Sequence, residues 1–291
     1  QDLPSLADVM RVADSRVGDS TSAVYAGLDL TTDPWGFLFS YREIDEGFAP
    51  AVGFVRREGF RSGSGSLRRS VRPGRWGVRR VSLRVFGDAY ESLAYDLTES
   101  TAVSLMSEVE LENGDRVDLG VRRSFERLFE PFALDDDLIF APGDYSFSEW
   151  WAEYESDESR RWGFELGLGS GGFFDGDTTQ GEAEIWFVFS RHLRAAGSFE
   201  LYDVSTDHGS VDWRLWGLRL EYIVSSNLSA SGFLQHDSSS ASTILNLRLR
   251  WILHNDSDLY LVYNDSELEP AGGPSARGRE LALKLSYRFF L

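Results

Sequence analysis

The sequence predicts an all-β chain that forms an antiparallel transmembrane β-barrel of about 16 strands. Three observations support this prediction. Apolar and polar residues alternate through most of the chain, the connections between these segments alternate in length, and no helical period or long apolar run appears. About 14 or 18 strands are also compatible, because strand boundaries inferred from a sequence are uncertain by several residues.

The last strand is predicted from LALKLSYRFFL, residues 281–291. Side chains alternate faces along a strand, so this stretch has one apolar face and one largely polar face. We expect the apolar face to contact lipid and the strand to close the barrel against the first strand, leaving no free edge. The aromatic end also resembles the C-terminal signal that the barrel-assembly machinery reads, with Leu in place of the usual final Phe. The residues of this predicted signal are Leu283, Leu285, Tyr287, Phe289 and Leu291.

Similar alternation occurs in TILNLRLRWIL, WRLWGLRLEYIV and WGFELGLG. The second face of these strands and of the last strand carries charged residues, and a barrel of about 16 strands is too wide for side chains to fill. We therefore expect a polar lumen. Its charged side chains either form a hydrated wall or form a selective constriction. The predicted lumen-facing charges are Glu165, Arg219, Glu221, Arg248, Arg250, Lys284 and Arg288.

The connections favour a barrel over a two-sheet sandwich, which shows the same alternation along its strands. Short connections are predicted near 31–34, 72–75, 113–115, 156–160, 190–192, 225–227 and 254–257. Longer ones are predicted near 43–59, 91–98, 130–144, 172–178, 205–211, 236–241 and 265–279. Short periplasmic turns and longer extracellular loops are typical of outer-membrane barrels.

One long connection contains FAPAVGFVRREGF, residues 48–60, which is too apolar for a freely solvated loop. We expect it to fold into the lumen as a plug or constriction. The residues singled out in this segment are Phe48, Phe54, Arg56 and Arg57.

Composition excludes several function classes. The formal net charge of -18 argues against nucleic acid as a partner, since phosphate binding needs a basic surface. Cysteine is absent, so no disulfide or Cys-based metal site is possible. Aromatic girdles at the two membrane interfaces would account for the aromatic content of 14%. No motif predicts a cofactor, a metal site or a catalytic residue.

We predict one barrel domain over residues 1–291. Residues 1–20 are expected to be either a tail or a weak first strand, which would lie near residues 6–14. That strand would give the even number that bacterial barrels use.

Six stretches in order, from about residue 48 to the end, resemble a family of bacterial outer-membrane proteins of unassigned function. Its members typically join an N-terminal sandwich, similar to carbohydrate-binding modules of family nine, to a C-terminal barrel. This resemblance implies an outer-membrane location and a barrel fold, and it implies no catalytic residues. The stretches are FAPAVGFVRREGF, SFERLFEPF, APGDYSF, NLRLRW, SDLYLVYND and LALKLSYRF.

We therefore expect an integral protein of the outer membrane of a Gram-negative bacterium, porin-like, which passes small solutes or serves in docking or assembly. The alternative is a structural or partner-binding barrel in a complex with another envelope protein. An enzyme with a His–Asp or His–Ser pair at the barrel rim is the third hypothesis, and we predict that the chain is not an enzyme. Expected partners are outer-membrane lipid, lipopolysaccharide and the barrel-assembly machinery.

Overall fold

The computed structural model describes residues 10–17, 21–48, 57–135, 138–254, 257–269 and 275–288. The secondary structure of these residues consists of strands, turns and bends, which confirms the all-β prediction. The described residues include no helix of the length and apolarity needed to cross a membrane.

The described part of the chain forms eighteen strands. In chain order they are β1 (Met10–Val17), β2 (Thr21–Thr31), β3 (Trp35–Ile44), β4 (Phe60–Val71), β5 (Val78–Ser92), β6 (Leu97–Leu111), β7 (Arg116–Leu128), β8 (Phe132–Asp135), β9 (Leu138–Phe140), β10 (Gly143–Glu155), β11 (Trp162–Phe173), β12 (Gly176–Val188), β13 (Leu193–Thr206), β14 (Gly209–Ser225), β15 (Leu228–Asp237), β16 (Ser242–His254), β17 (Ser257–Leu268) and β18 (Ala276–Ser286).

The strands are arranged in one large antiparallel sheet and one small one. The large sheet follows chain order from β1 to β7 and continues from β10 to β18, so that strands adjacent in sequence are adjacent in space. Among the described residues, strands β8 and β9 pair only with each other, as a hairpin between β7 and β10. The weak first strand predicted near residues 6–14 corresponds to β1, which pairs antiparallel with β2.

The chain divides into two compact units. The first comprises Gln1–Ala152, Ser170–Asp177 and Ser205–Gly209. The second comprises Glu153–Gly169, Thr178–Val204 and Ser210–Leu291. The single domain expected over residues 1–291 stays a prediction.

In the first unit, one face of the sheet carries an unbroken row of apolar side chains across five strands, β3 to β7. The register places Phe37 beside Leu67, Leu67 beside Val85, Val85 beside Leu105 and Leu105 beside Val121. All five side chains are exposed, between 41% and 52%. We call this face, with its equivalent in the second unit, the apolar face.

The second unit has the same organisation in β14 to β18. Tyr222 lies beside Ala230, Ala230 beside Leu249, Leu249 beside Leu261 and Leu261 beside Leu283. The four large side chains of this row are exposed, and Leu283 reaches 70%. The alternation read from the sequence therefore produces continuous apolar rows, because the register keeps equal parities side by side.

Few apolar side chains are buried in the described part of the chain. They are Phe48, Phe60, Ala102, Leu138, Phe140, Trp186 and Val204. A soluble all-β protein of this length packs the apolar faces of its strands into a core. Here those faces are the exposed ones.

The opposite side, the polar face, is joined by side-chain hydrogen bonds in the first unit. The hydroxyl oxygens of Ser40 and Ser64 lie 2.8 Å apart, as do those of Ser70 and Ser82. These cross-strand contacts hold neighbouring strands together through side chains as well as through the backbone.

The predicted alternation of short and long connections is wrong at several places. Only two residues separate β11 from β12, and two separate β13 from β14, where loops were expected near 172–178 and 205–211. Phe174 has a positive φ of 54°, which suits a tight hairpin turn, and Thr206 Oγ1 accepts hydrogen bonds from the His208 and Gly209 amides. The loop expected near 91–98 is also short, since β5 ends at Ser92 and β6 begins at Leu97. Backbone pairing thus continues through residues whose composition indicates a loop.

The predicted C-terminal signal is described only in part. Leu283, Leu285 and Tyr287 are exposed, at 70%, 59% and 49%, and Leu285 pairs with Leu259 of β17. Phe289 and Leu291 lie outside the described residues. The signal itself stays a prediction.

Gly171 in β11 provides a test of strand packing in the first unit. A Cβ atom at this position would lie 2.3 Å from the main-chain oxygen of Ser148 and 2.4 Å from Glu149 Cα, both in β10. Because backbone atoms cannot turn aside as a flexible side chain does, Gly171→Ala is expected to lower the free energy of unfolding by roughly 1–3 kcal/mol. The measurement is a urea titration of the chain in detergent. Gly63→Ala is the control, since its Cβ would meet nothing within 4 Å; equal losses in both variants would contradict the prediction.

Candidate functional site

A charged cavity lies on the polar face of the second unit. Its volume is about 220 Å³, and strands β12 to β15 line it. Two of the predicted lumen-facing charges, Arg219 and Glu221, are brought together here with two charged residues from neighbouring strands, Glu184 and Arg194. The complete lining is Glu184, Arg194, Ala196, Gly197, Ser198, Gly217, Arg219, Glu221 and Phe233. We call it the charged cavity.

Small residues make room for the charged cavity. A Cβ atom on Gly217 would lie 2.7 Å from Ser198 Oγ and 3.5 Å from the Phe233 ring. The hydroxyl and the ring therefore pass over Gly217, where only a hydrogen atom fits between them. An aromatic residue and a hydroxyl thus lie beside the charged groups.

The register explains how the charged groups meet. The Ile223 amide donates a hydrogen bond to the His192 carbonyl oxygen at 2.8 Å. Continued along the antiparallel ladder, this pairing places Arg194 beside Glu221. Arg219 pairs in register with Phe233, and its guanidinium carbon lies 5.3 Å from the centre of that ring. This distance is within the range of a cation–π interaction.

Three further predicted charges are adjacent on β16 and β18. Tyr260 lies beside Arg250 and Lys284 in register. The guanidinium carbons of Arg248 and Arg250 lie 4.8 Å and 5.6 Å from the Tyr260 ring, and Arg250 also forms an ion pair with Asp258 at 3.2 Å. The strands at this end of the second unit therefore carry a basic patch on the polar face.

The predicted charge Glu165 has acidic surroundings instead. It interacts electrostatically with four other carboxylates of the second unit, Glu153, Glu155, Glu182 and Glu184. Opposite charges are thus segregated along the polar face, and Glu184 belongs both to this acidic group and to the charged cavity. Arg288, the last predicted charge, contacts Ser257 through its main-chain amide, which donates to the hydroxyl oxygen at 3.2 Å.

The predicted plug segment is described at its two ends. Phe48 and Phe60 are buried, at 7% and 4% exposure. Arg57 forms an ion pair with Glu99 on β6, and its guanidinium carbon lies 5.5 Å from the Phe60 ring and 5.6 Å from the Tyr90 ring. Phe54 and Arg56 lie outside the described residues, so a plug or constriction by this segment stays a prediction.

The aromatic hairpin β8–β9 was missed by sequence reasoning, which treated residues 130–144 as a plain long loop. Phe140 is only 1% exposed, and its ring centre lies 4.6 Å from that of Phe174 and 5.8 Å from that of Phe173. Phe147 and Tyr145 of β10 also contact Phe174, with ring centres 5.8 Å and 5.1 Å away. The available signal was the spacing of aromatic residues in FEPFALDDDLIF, which is unusual for a solvated loop.

Two histidines lie close to a polar side chain, His208 to the carboxylate of Asp175 and His236 to the hydroxyl of Thr243. His208 Nε2 lies 3.6 Å from Asp175 Oδ2, and the imidazole is two-thirds exposed. Among the described residues, no hydroxyl group is hydrogen-bonded to this ring, and the expectation that the chain is not an enzyme stays a prediction. His236 Nδ1 contacts Thr243 Oγ1 at 2.9 Å, while the adjacent Asp237 accepts hydrogen bonds from Ser239 and Ser240 and so orders the turn.

Two further results concern the identity of the site. The described residues contain no group of three or more His, Asp or Glu side chains arranged to hold a metal ion. Protein-family models give no match to the sequence, and a search of curated proteins gives no significant match. The resemblance to the outer-membrane family therefore stays a prediction.

The aromatic hairpin gives a local test within the first unit. Phe140→Ala removes a buried ring, a change that typically costs about 3–5 kcal/mol, and the cost falls on the contact of the hairpin with Phe173 and Phe174. We expect proteinase K to cleave within residues 129–142 at least tenfold faster in this variant. Ile139→Ala is the matched control, because Ile139 is the adjacent residue and is 53% exposed. Equal cleavage rates in the two variants would show that the ring contacts do not hold the hairpin.

Proposed function

We propose that the chain is an integral β-barrel of the outer membrane of a Gram-negative bacterium and passes small solutes through a polar lumen. The observation that carries this proposal is the exposure of the apolar rows in both units. Leu, Val, Phe, Tyr and Trp side chains occupy successive strands on one face, while serine and charged residues occupy the other. This distribution suits a sheet with lipid on one side and water on the other.

The extent of the exposed apolar face favours lipid over water. Soluble monomers rarely expose a continuous apolar patch of more than a few hundred Å². Each row here crosses five strands, and strands in a sheet are about 4.8 Å apart. Several such rows follow one another along the strands, as in β16, where Leu247, Leu249 and Trp251 are all exposed.

Aromatic residues on the apolar face support a location at a membrane interface. In β14, Trp216 and Tyr222 flank Leu218 and Leu220, and all four side chains are exposed. Trp and Tyr prefer the headgroup region, where an amphipathic ring contacts both lipid and water.

Strand length is consistent with spanning. Apart from β1 and the small hairpin, the strands contain between 10 and 17 residues. A tilted transmembrane strand needs about 9–11 residues. The longer strands extend beyond the hydrocarbon layer, which accounts for the tight hairpins found where longer loops were expected.

Passage of solutes is the role that the polar face favours. Charges of both signs line it, and the charged cavity has room for a small molecule. Lipopolysaccharide, the barrel-assembly machinery and another envelope protein belong to the proposal as partners. The assembly machinery is included because Leu283, Leu285 and Tyr287 match the parity of its recognition signal.

Two measurements test the proposal together. On a cold SDS gel the purified chain should migrate differently before and after heating, because a closed barrel resists SDS until it is heated. In planar lipid bilayers the same preparation should conduct ions in discrete steps. Heat-modifiable migration without conductance would reject passage in favour of docking or assembly. A chain that is monomeric and soluble without detergent would overturn the membrane location.

The lipid contact can be tested with a pair of substitutions on β16. Leu249 lies on the apolar face at 37% exposure, and Ile244 lies on the polar face at 41%. Leu249→Arg is expected to lower the stability of the chain in liposomes by about 2–4 kcal/mol, because the charge would enter hydrocarbon. Ile244→Arg should change it by less than about 1 kcal/mol, since that face is hydrated. Urea unfolding in liposomes, followed by Trp fluorescence, measures both; a neutral Leu249→Arg would place the apolar face in water.

A further inference from the structure

The four ionisable side chains of the charged cavity are not paired with one another. Among the described residues, no partner of opposite charge lies within 4 Å of Glu184, Arg194, Arg219 or Glu221. Arg194 and Glu221 are nevertheless neighbours in register, close enough for an ion pair if their side chains turned toward each other. Two guanidinium groups and two carboxylates therefore keep hydrogen-bonding capacity for a third partner.

The geometry points to a binding site in the charged cavity for a small zwitterion of the α-amino-acid class. An anion would be attracted by the two arginines, Arg194 and Arg219, but repelled by the two glutamates. A cation would be attracted by Glu184 and Glu221 but repelled by the arginines. A molecule that carries both charges satisfies both pairs at once. The guanidinium groups bind its carboxylate, and Glu221, which lies beside Arg194 in register, binds its ammonium group.

The uncharged part of the lining fits the same class of ligand. Gly217 leaves space beneath Ser198 and Phe233, so the site offers a hydroxyl for hydrogen bonding and a ring face for an aliphatic or amide side chain. A volume of about 220 Å³ equals that of roughly seven water molecules in the liquid. This volume has room for a molecule of amino-acid size.

The inference rests on the proposed function, because a water-filled lumen would bring the solute to this face. It goes further by naming the class of solute.

The test uses the full chain, folded in detergent micelles, and three related ligands that carry different charges. L-Glutamine carries both charges, N-acetyl-L-glutamine only the negative one, and L-glutamine amide only the positive one. Isothermal titration calorimetry should show glutamine binding at least tenfold more tightly than either derivative. Equal binding of the acetylated ligand would make the cavity an anion site, equal binding of the amide would make it a cation site, and either result overturns the proposal.

Variants locate the binding in the charged cavity. Arg219→Gln and Glu221→Gln should each weaken glutamine binding at least tenfold, and a cold SDS gel establishes that each variant is folded. The control is Arg214→Gln, which makes the same change on the opposite face of β14, where Arg214 pairs with Asp212 at 3.4 Å. Its affinity for glutamine should equal that of the parent chain.

The outcomes separate this inference from the proposed function. A chain that shows heat-modifiable migration and conducts ions but binds none of the three ligands keeps the proposed function and overturns the zwitterion site. Binding of glutamine by a chain that is soluble without detergent keeps the site and overturns the membrane location. Glutamine binding that survives both cavity substitutions would place the site elsewhere and overturn the assignment.

Discussion

The apolar face of the sheet needs a nonpolar environment, and the rest of the structure follows from that need. Backbone hydrogen bonding between strands satisfies the main chain but leaves the side chains of each face to their surroundings. In both units the register aligns large apolar residues into continuous exposed rows. Burying such rows stabilises a protein by roughly 25 cal/mol per Å² of apolar area removed from water. Under the proposed function, lipid rather than a second sheet provides that burial.

Under the proposed function, bulky residues on the polar face have no packed core to enter, and glycine residues on neighbouring strands make room for them. A Cβ atom on Gly120 would fall 2.0 Å from the Trp151 ring, and one on Gly163 would fall 2.3 Å from the Trp186 ring. In each case an indole lies flat over a glycine of the adjacent strand, an arrangement that shields the exposed backbone of that glycine. This accounts for Gly163 in WGFELGLG, whereas Gly167 of the same stretch leaves space for the side chain of Glu182.

The alternation of residue types was enough to predict the all-β class, the large antiparallel sheet and which side chains share a face. Leu247, Leu249 and Trp251 illustrate this, because strict period-2 patterning admits only one exposed face once the sheet forms. The connection lengths were not predictable in the same way. Asp175 and Gly176 are residue types that favour a turn. Whether backbone pairing between the flanking strands extends as far as these residues depends on the neighbouring strand. The burial of Phe140 also depends on tertiary contacts, because the sequence does not show that Phe173 and Phe174 lie beside it.

Only part of the candidate site was accessible from the sequence, for the same reason. Arg219 and Glu221 stand out because they are the charged members of a strong apolar–polar alternation on β14. Arg194 does not, since Ala195 and Gly197 make the alternation on β13 weak. The charged cavity exists because the register brings β13 beside β14, and register depends on pairing between strands rather than on the composition of either.

The unpaired charges of the cavity and the exposed apolar rows have the same physical explanation. In the interior of a soluble protein, isolated guanidinium and carboxylate groups would have to pair, because desolvating a lone charge costs several kcal/mol. On a hydrated face they carry no such penalty, and they remain available to a solute. A chain that exposes Leu283 and Leu249 on one side and leaves Arg194 and Glu221 unpaired on the other is suited to two different solvents. Lipid for the first face and water for the second satisfies both conditions at once.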